Sequence, residues 1–428
     1  MTKSRKKHFI IWRIILGILT VLIIAGSVYC CFGGFGTGKS ADTAEFAKYA
    51  GQVSDVTIPE ETRIIALGEA THGNAEFQQL KLDVFQIMVE NYGVRSFALE
   101  ADYGCCETVN RYIHGGEGTA EQAADALGFQ IYKTDEMTNL LSWMREYNEK
   151  AGESEALCFY GFDMQRYEAN YEYFIEMTEA LGADTEELKK IWNNGTLNND
   201  YTGEQQAEII KGVKEALLEN EKPETAQAVH FADILLQNIE LGNVMEDMQA
   251  GMALRDRFMA ENIMWILGQE EARGNSRIFI SGHNGHIGQF GSYDAENLYM
   301  GHILADTIGE DAYLVIGTDF YKTTNSMPKG SGQRTKFTVY SHDPLAKAAK
   351  ECGYDICWLD FSKIPEESTL KSEVTGYCYM GNLGENQMNL LNRIIMRVFP
   401  YTYRIWGSPA SMYDGMIFVT EAHPIQFR

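Results

Sequence analysis

Along the chain, short apolar runs alternate with longer stretches whose apolar residues recur every three or four positions. Arg63–Gly68 (RIIALG) and Val94–Glu100 (VRSFALE) read as strands. Between them, Glu76–Asn91 places Phe77, Leu80, Val84, Ile87 and Met88 on one helical face. This β-α-β order predicts parallel strands joined by a right-handed crossover. Further strands are expected at Ala156–Gly161, Arg277–Ser281 and Ala312–Gly317, with a helix around Met137–Lys150. From about 165 to 270 the spacing is helical throughout, over Glu168–Ala180, Thr185–Trp192, Glu204–Glu219, Thr225–Leu241 and Ala253–Leu267. These helices read as an insertion that forms a lid or wall beside the sheet. Beyond 310, strands at Phe337–Tyr340, Ile356–Phe361 and Met416–Thr420 mix with helices at Pro344–Cys352 and Gln387–Val398. Either a smaller α+β lobe or an extension of the main sheet fits that pattern.

The N-terminus follows a different rule. Ile14–Phe32 (IILGILTVLIIAGSVYCCF) carries no charge, and its roughly 19 residues at about 1.5 Å each match a hydrocarbon core of about 30 Å. Lys3, Arg5, Lys6, Lys7 and Arg13 flank it, which predicts a cytoplasmic tip and an exported remainder. A cleaved signal peptide ending near Ala25-Gly26-Ser27 is the competing reading. The expected fold class is therefore α/β: a mainly parallel sheet flanked by helices, with a helical insertion and a smaller C-terminal α+β part, preceded by one transmembrane helix. The corresponding divisions are 1–32 (basic tip and anchor), 33–45 (linker) and 46–428 (main domain, with 165–270 and 310–428 as its insertion and C-terminal part). The expected location is the cell membrane, with the domain on the extracytoplasmic side.

Gly33–Ser40 (GGFGTGKS) fits the phosphate-loop pattern to the letter. That loop works only between a buried strand and a helix, whereas here it follows an apolar segment and leads into a polar one. It is read as a linker. The formal net charge of −24 repels phosphate backbones, so a nucleic-acid partner is not expected. No C-x-x-C pair exists among the eight cysteines, which excludes finger-type zinc sites. A Cys352–Cys357 disulfide and buried free thiols are both open readings.

The polar residues are informative because of where they fall. Glu69 and His72 follow the first strand, Glu100 ends the second, Asp163 the third, and His283, Asn284 and His286 the fourth. In an open parallel sheet, ligands bind beyond the carboxyl ends of the strands, so these residues are expected at one rim. A histidine titrating near neutrality takes a proton from water, and a carboxylate such as Glu69 or Glu100 fixes its tautomer. His72 is the expected base, and His283 and His286 hold or polarise a substrate carbonyl. Arg95, Asp163 and Asn284 are expected to contact substrate. No G-x-S-x-G elbow is present, which argues against a serine nucleophile. Zinc held by the histidines and glutamates is the rival mechanism, although the spacing departs from H-E-x-x-H. The metal-free reading is adopted, with no cofactor.

These motifs resemble the erythromycin esterase family. The stretch from IIALGEATHGNAEF to VRSFALEAD is similar to its opening signature, and YGFDMQ, ALRDRFMAENIMWIL, ISGHNGHIG and YDGMIFVTEA follow in the family's order. The resemblance covers about 60 to 428. It implies a hydrolase of a small-molecule ester or lactone, macrolide antibiotics included, with His72 as general base, Glu69, Glu100, His283 and His286 around it, and no metal. It also places Lys81 where macrolide-cleaving members carry a substrate-binding arginine. Lysine lacks the guanidinium fork, which weakens the case for a macrolide. A non-catalytic envelope protein that binds a small ligand or metal at the same rim is the alternative.

Overall fold

The computed structural model describes residues 3–31, 38–219, 222, 224–294, 296–330, 332–385 and 387–428, with side chains described outside 3–10, 28–31, 397, 398 and 400. A nine-stranded sheet forms the centre. Its strands in chain order are β1 (Ala50–Gly51), β2 (Ile64–Glu69), β3 (Ser96–Asp102), β4 (Cys158–Asp163), β5 (Ile278–His283), β6 (Tyr313–Pro328), β7 (Arg334–Tyr340), β8 (Ile356–Asp360) and β9 (Gly415–Ala422). The spatial order is β1-β8-β9-β6-β2-β5-β3-β4, with β7 paired to β6. From β9 across to β4 every pairing is parallel; β1, β7 and β8 pair antiparallel.

β2 is buried at every position because helices cover both faces of the sheet. Its alternating side chains feed two cores. Ile64 and Ala66 point to the side covered by the insertion, where Phe231, Met259, Ile263 and Ile266 pack. Ile65 and Leu67 point to the side covered by the helix Ala75–Tyr92, with Phe77, Leu80, Val84 and Phe85. Among the described residues the insertion forms five helices, Glu168–Ala180, Glu186–Ile191, Gly203–Leu218, Thr225–Val244 and Met248–Ala272. The last of these runs back directly into β5. The C-terminal part extends the main sheet through β6, β7, β8 and β9. It also forms a two-stranded pair, Cys378–Gly381 with Arg404–Gly407.

The expected membrane span does not stand. Residues Lys3–Cys31 form one helix, but among the described residues no helix is long and apolar enough to cross a membrane. The transmembrane helix, the membrane as partner and the single-pass extracytoplasmic location fall with it. Residues 32–37, with most of the phosphate-loop-like run, lie outside the described residues. Packing begins before the expected boundary at 46: Asp42 caps the helix Thr43–Tyr49, whose Phe46 is buried in the core. Cys352 and Cys357 are free thiols, not a disulfide.

Candidate active site

β2, β5, β3 and β4 are consecutive neighbours, so their carboxyl ends share one rim. The loop after β2 is fixed from several sides. The Ala70 N–H donates to Thr318 Oγ1 at 2.9 Å, and the Ala70 carbonyl accepts from Leu383 at 2.7 Å. Asn74 Nδ2 donates to the carbonyls of Thr324 and His423 at 3.0 and 2.8 Å. A side chain at position 73 has no room, since a Cβ there would lie 1.7 Å from Asn325 Oδ1. Glycine is therefore required for the close approach between loop and β6.

His72 is carried by this loop. Its Nδ1 meets one carboxylate oxygen of Glu69, and the other oxygen accepts from the buried Lys81. Nε2 is the ring nitrogen left for substrate or water. The His283 ring lies 4.7 Å from the His72 ring, centroid to centroid. Glu100 accepts from the His283 backbone N–H at 2.7 Å and from Arg255 Nη2 at 2.8 Å. Arg255 also grips Asp163 with two bonds, Nε at 3.1 Å and Nη2 at 2.8 Å. Its Nη1 lies 3.3 Å from His286 Nε2, and His286 Nδ1 lies 2.6 Å from Asp256 Oδ1, out of line for a regular hydrogen bond. With Arg255 donating to Nε2, the neutral ring carries its proton on Nδ1, facing Asp256.

The electrostatics separate these groups. Burial alone raises the Glu69 carboxyl, but Lys81 and His72 outweigh it and hold it at about 2. Burial likewise opposes ionisation of Glu100, and His286 and Arg255 pull it well below the carboxylate range. Burial disfavours a charge on His72, yet Glu69 overrides it and raises its pKa. His283 goes the other way: burial, then the adjacent His72, lower it to about 3, so its ring is neutral at working pH. Burial opposes charge on His286 too, but Asp256 and Glu100 raise its pKa. The result is a proton acceptor backed by an ionised acid, beside an uncharged imidazole.

A cavity of about 720 Å³ opens over this rim, lined by His72, Glu100, Asp163, His283 and His286. Five sequence-expected residues, Glu69, His72, Glu100, His283 and His286, thus meet, with Asp163 joined to them through Arg255. Three expected substrate contacts do not stand. Lys81 sits behind Glu69 at 1% exposure, away from the cavity lining. Arg95 precedes β3 at the opposite end of the sheet, bound to Glu155 at 2.9 Å. Asn284 turns its side chain to the Thr318 backbone, donating at 2.7 Å and accepting at 3.3 Å. Cys105 and Cys106, next to β3, are buried thiols; burial and then Asp102 push Cys105 up to about 12.

Sequence reasoning missed Arg255 and Asp256 as site residues, along with Tyr132, Asn382 and Arg404 of the cavity wall. A signal existed for the first two. Arg255 and Asp256 fall on the buried face of Met248–Ala272, in helical register with Phe258, Met259 and Asn262. A charge pair on a core face calls for partners.

The family model described as erythromycin esterase matches residues 89–422. The erythromycin esterase type II of Escherichia coli is 26% identical over 352 residues, covering 72% of this chain and 82% of that protein. A crystal structure of a Bacillus cereus protein superposes with a TM-score of 0.72 at 21% identity, covering 90% of this chain and 99% of that one. A mutant of the erythromycin esterase EreC in its open conformation gives 0.59 at 15% identity, covering 86% and 92%. The structural likenesses speak for the fold, and the matched family model decides the affiliation: this chain belongs to the erythromycin esterase family.

Proposed function

We propose that the protein is a hydrolase that opens an ester or lactone bond with water activated by His72. The observation that carries the reading is the placement of His72 between Glu69 and the neutral His283 on the cavity wall. In the proposed step, His72 Nε2 takes a proton from water as its oxygen attacks the acyl carbon. His283 donates a hydrogen bond to the carbonyl oxygen, where negative charge develops. The C–O bond then breaks, and the proton held by His72 passes to the leaving alkoxide. Glu69 keeps the imidazole oriented and balances the imidazolium formed in between. Arg255 fixes Glu100 and Asp163, and through Glu100 the backbone N–H of His283.

Macrolide lactones are the first substrates to assay, beside simple esters. The test compares wild type with His72→Ala, with and without a chelator. Turnover that drops about 100- to 10,000-fold in the variant, and that the chelator leaves unchanged, is expected. Equal turnover in the two proteins sinks the role given to His72. Loss of activity on chelation moves the chemistry to a metal.

A further inference from the structure

Arg404 opens the strand Arg404–Gly407, and its side chain lines the same cavity as His72 and His283. It is 8% exposed. The other buried cations here have their acids: Lys81 has Glu69, and Arg255 has Glu100 and Asp163. Among the described residues, no carboxylate reaches Arg404 at ion-pair distance. Its Nη2 donates to the Tyr340 carbonyl at 2.6 Å, and the Tyr403 ring lies 4.8 Å from the guanidinium carbon. Its Nε is buried without a hydrogen-bond partner. Asp319, whose charge reaches Arg404, spends its oxygens on Ser341 Oγ and on the N–H groups of Phe320 and Gly381. The acids that line the cavity are satisfied as well, Glu100 and Asp163 by Arg255, and Glu385 by Arg334.

Asn382 lines the same cavity and directly follows Gly381, the strand partner of Arg404. Its backbone N–H donates to the Tyr403 carbonyl at 3.0 Å. On the other side, a Cβ on Gly285 would lie 3.3 Å from Asn382 Nδ2 and 3.6 Å from His283 Nδ1. Of the Asn382 amide, only Nδ2 can donate to an anion, since the oxygen accepts. A guanidinium taken out of water with no counter-ion is costly, and burial accordingly lowers the pKa of Arg404.

We propose that Arg404, with the Asn382 amide beside it, forms an anion subsite, so that the substrate is an ester bearing a carboxylate or phosphate away from the bond that is cut. The guanidinium N–H groups of this cavity-lining arginine that Tyr340 does not take offer an oxyanion a directed, charge-assisted hydrogen bond. This assignment rests on the hydrolase reading for its ester, but not for its anion.

Two measurements on the full chain separate the claims. The first is calorimetric binding of glutarate, glycerol phosphate and neutral glutaramide to wild type, Arg404→Gln and Arg404→Lys. Wild type is expected to bind one of the anions at least about 10-fold tighter than the amide. Arg404→Gln erases that margin and Arg404→Lys keeps part of it. The anion preferred tells carboxylate from phosphate. If wild type binds anions and amide alike, or Arg404→Gln keeps the margin, the subsite is overturned. The wild-type comparison holds whether or not the variant folds. The second measurement sets hydrolysis of a glutarate monoester against its neutral diester. The monoester is expected to show the lower KM, with Arg404→Gln removing the difference. Equal KM values in wild type count against the subsite alone. Anion binding with no hydrolysis of any ester sinks the hydrolase reading and leaves the subsite standing.

Discussion

Lys81 and His72 share one carboxylate: Lys81 Nζ donates to one oxygen of Glu69 while His72 Nδ1 meets the other. Lys81 is buried, so Glu69→Gln strands an ammonium in the core. We expect that variant to lose about 3–5 kcal/mol of stability. Combining it with Lys81→Met removes the stranded charge and recovers part of the loss, with a coupling of about 0.5–3 kcal/mol. Urea unfolding of the two single variants and the double variant checks this. Additive effects would show that the pair is not coupled.

The same triplet sets the pH profile. His72 works as a base only when unprotonated, and its pKa is raised above the ordinary value of about 6.5. Activity therefore falls as pH drops through that raised value and is complete above it. Lys81→Met takes away a neighbouring cation and moves the acid limb to higher pH; Glu69→Gln moves it lower. Measured kcat/KM profiles of the three proteins give the order directly, and identical limbs would disconnect His72 from the rate.

Arg255 holds Glu100 and Asp163 by a planar fork that lysine lacks. Arg255→Lys is expected to keep the fold and lower kcat about 10- to 100-fold, because Glu100 no longer fixes the His283 backbone. Arg255→Gln leaves two buried acids facing each other and is expected to lower Tm as well. Steady-state kinetics with thermal melts distinguish the two effects.

Asn284 ties β5 to β6 through the Thr318 backbone and takes no part in the cavity. Asn284→Ala is expected to cost about 1–3 kcal/mol of stability, with KM unchanged in the folded fraction. A large rise in KM at unchanged stability would return it to substrate binding.

The legible part of this molecule was the part with local signals. The β2-helix-β3 unit announced itself by a change of period, and Glu69, His72 and Glu100 stood out as polar residues at the ends of apolar runs. Arg95 and Lys81 misled because proximity in sequence does not say which end of a strand, or which side of a helix, a residue occupies. Arg95 lies at the amino end of β3, and Lys81 points inward behind Glu69. Arg255 reaches Glu100 across 155 residues, a distance over which periodicity carries no information. No helix is expected from the sequence at Tyr103–Ile113, although Asp102 after the apolar run is an N-cap, accepting from Gly104 and Cys105. The N-terminal run had the right composition for a span, and composition alone did not decide it.

The loop that carries His72 is latched from the far end of the sequence. The Gly73 carbonyl accepts from the Ile425 N–H, and the His423 carbonyl accepts from both Ala75 and Asn74. Those residues follow β9, which must first insert between β6 and β8. A nascent chain still on the ribosome, complete through His286 but without β9, therefore carries Glu69, His72, Glu100, Asp163, His283 and His286 while the loop that bears His72 lacks these clamps. Catalysis becomes a late milestone of maturation, so the gain of turnover during refolding reports that the last strand has docked.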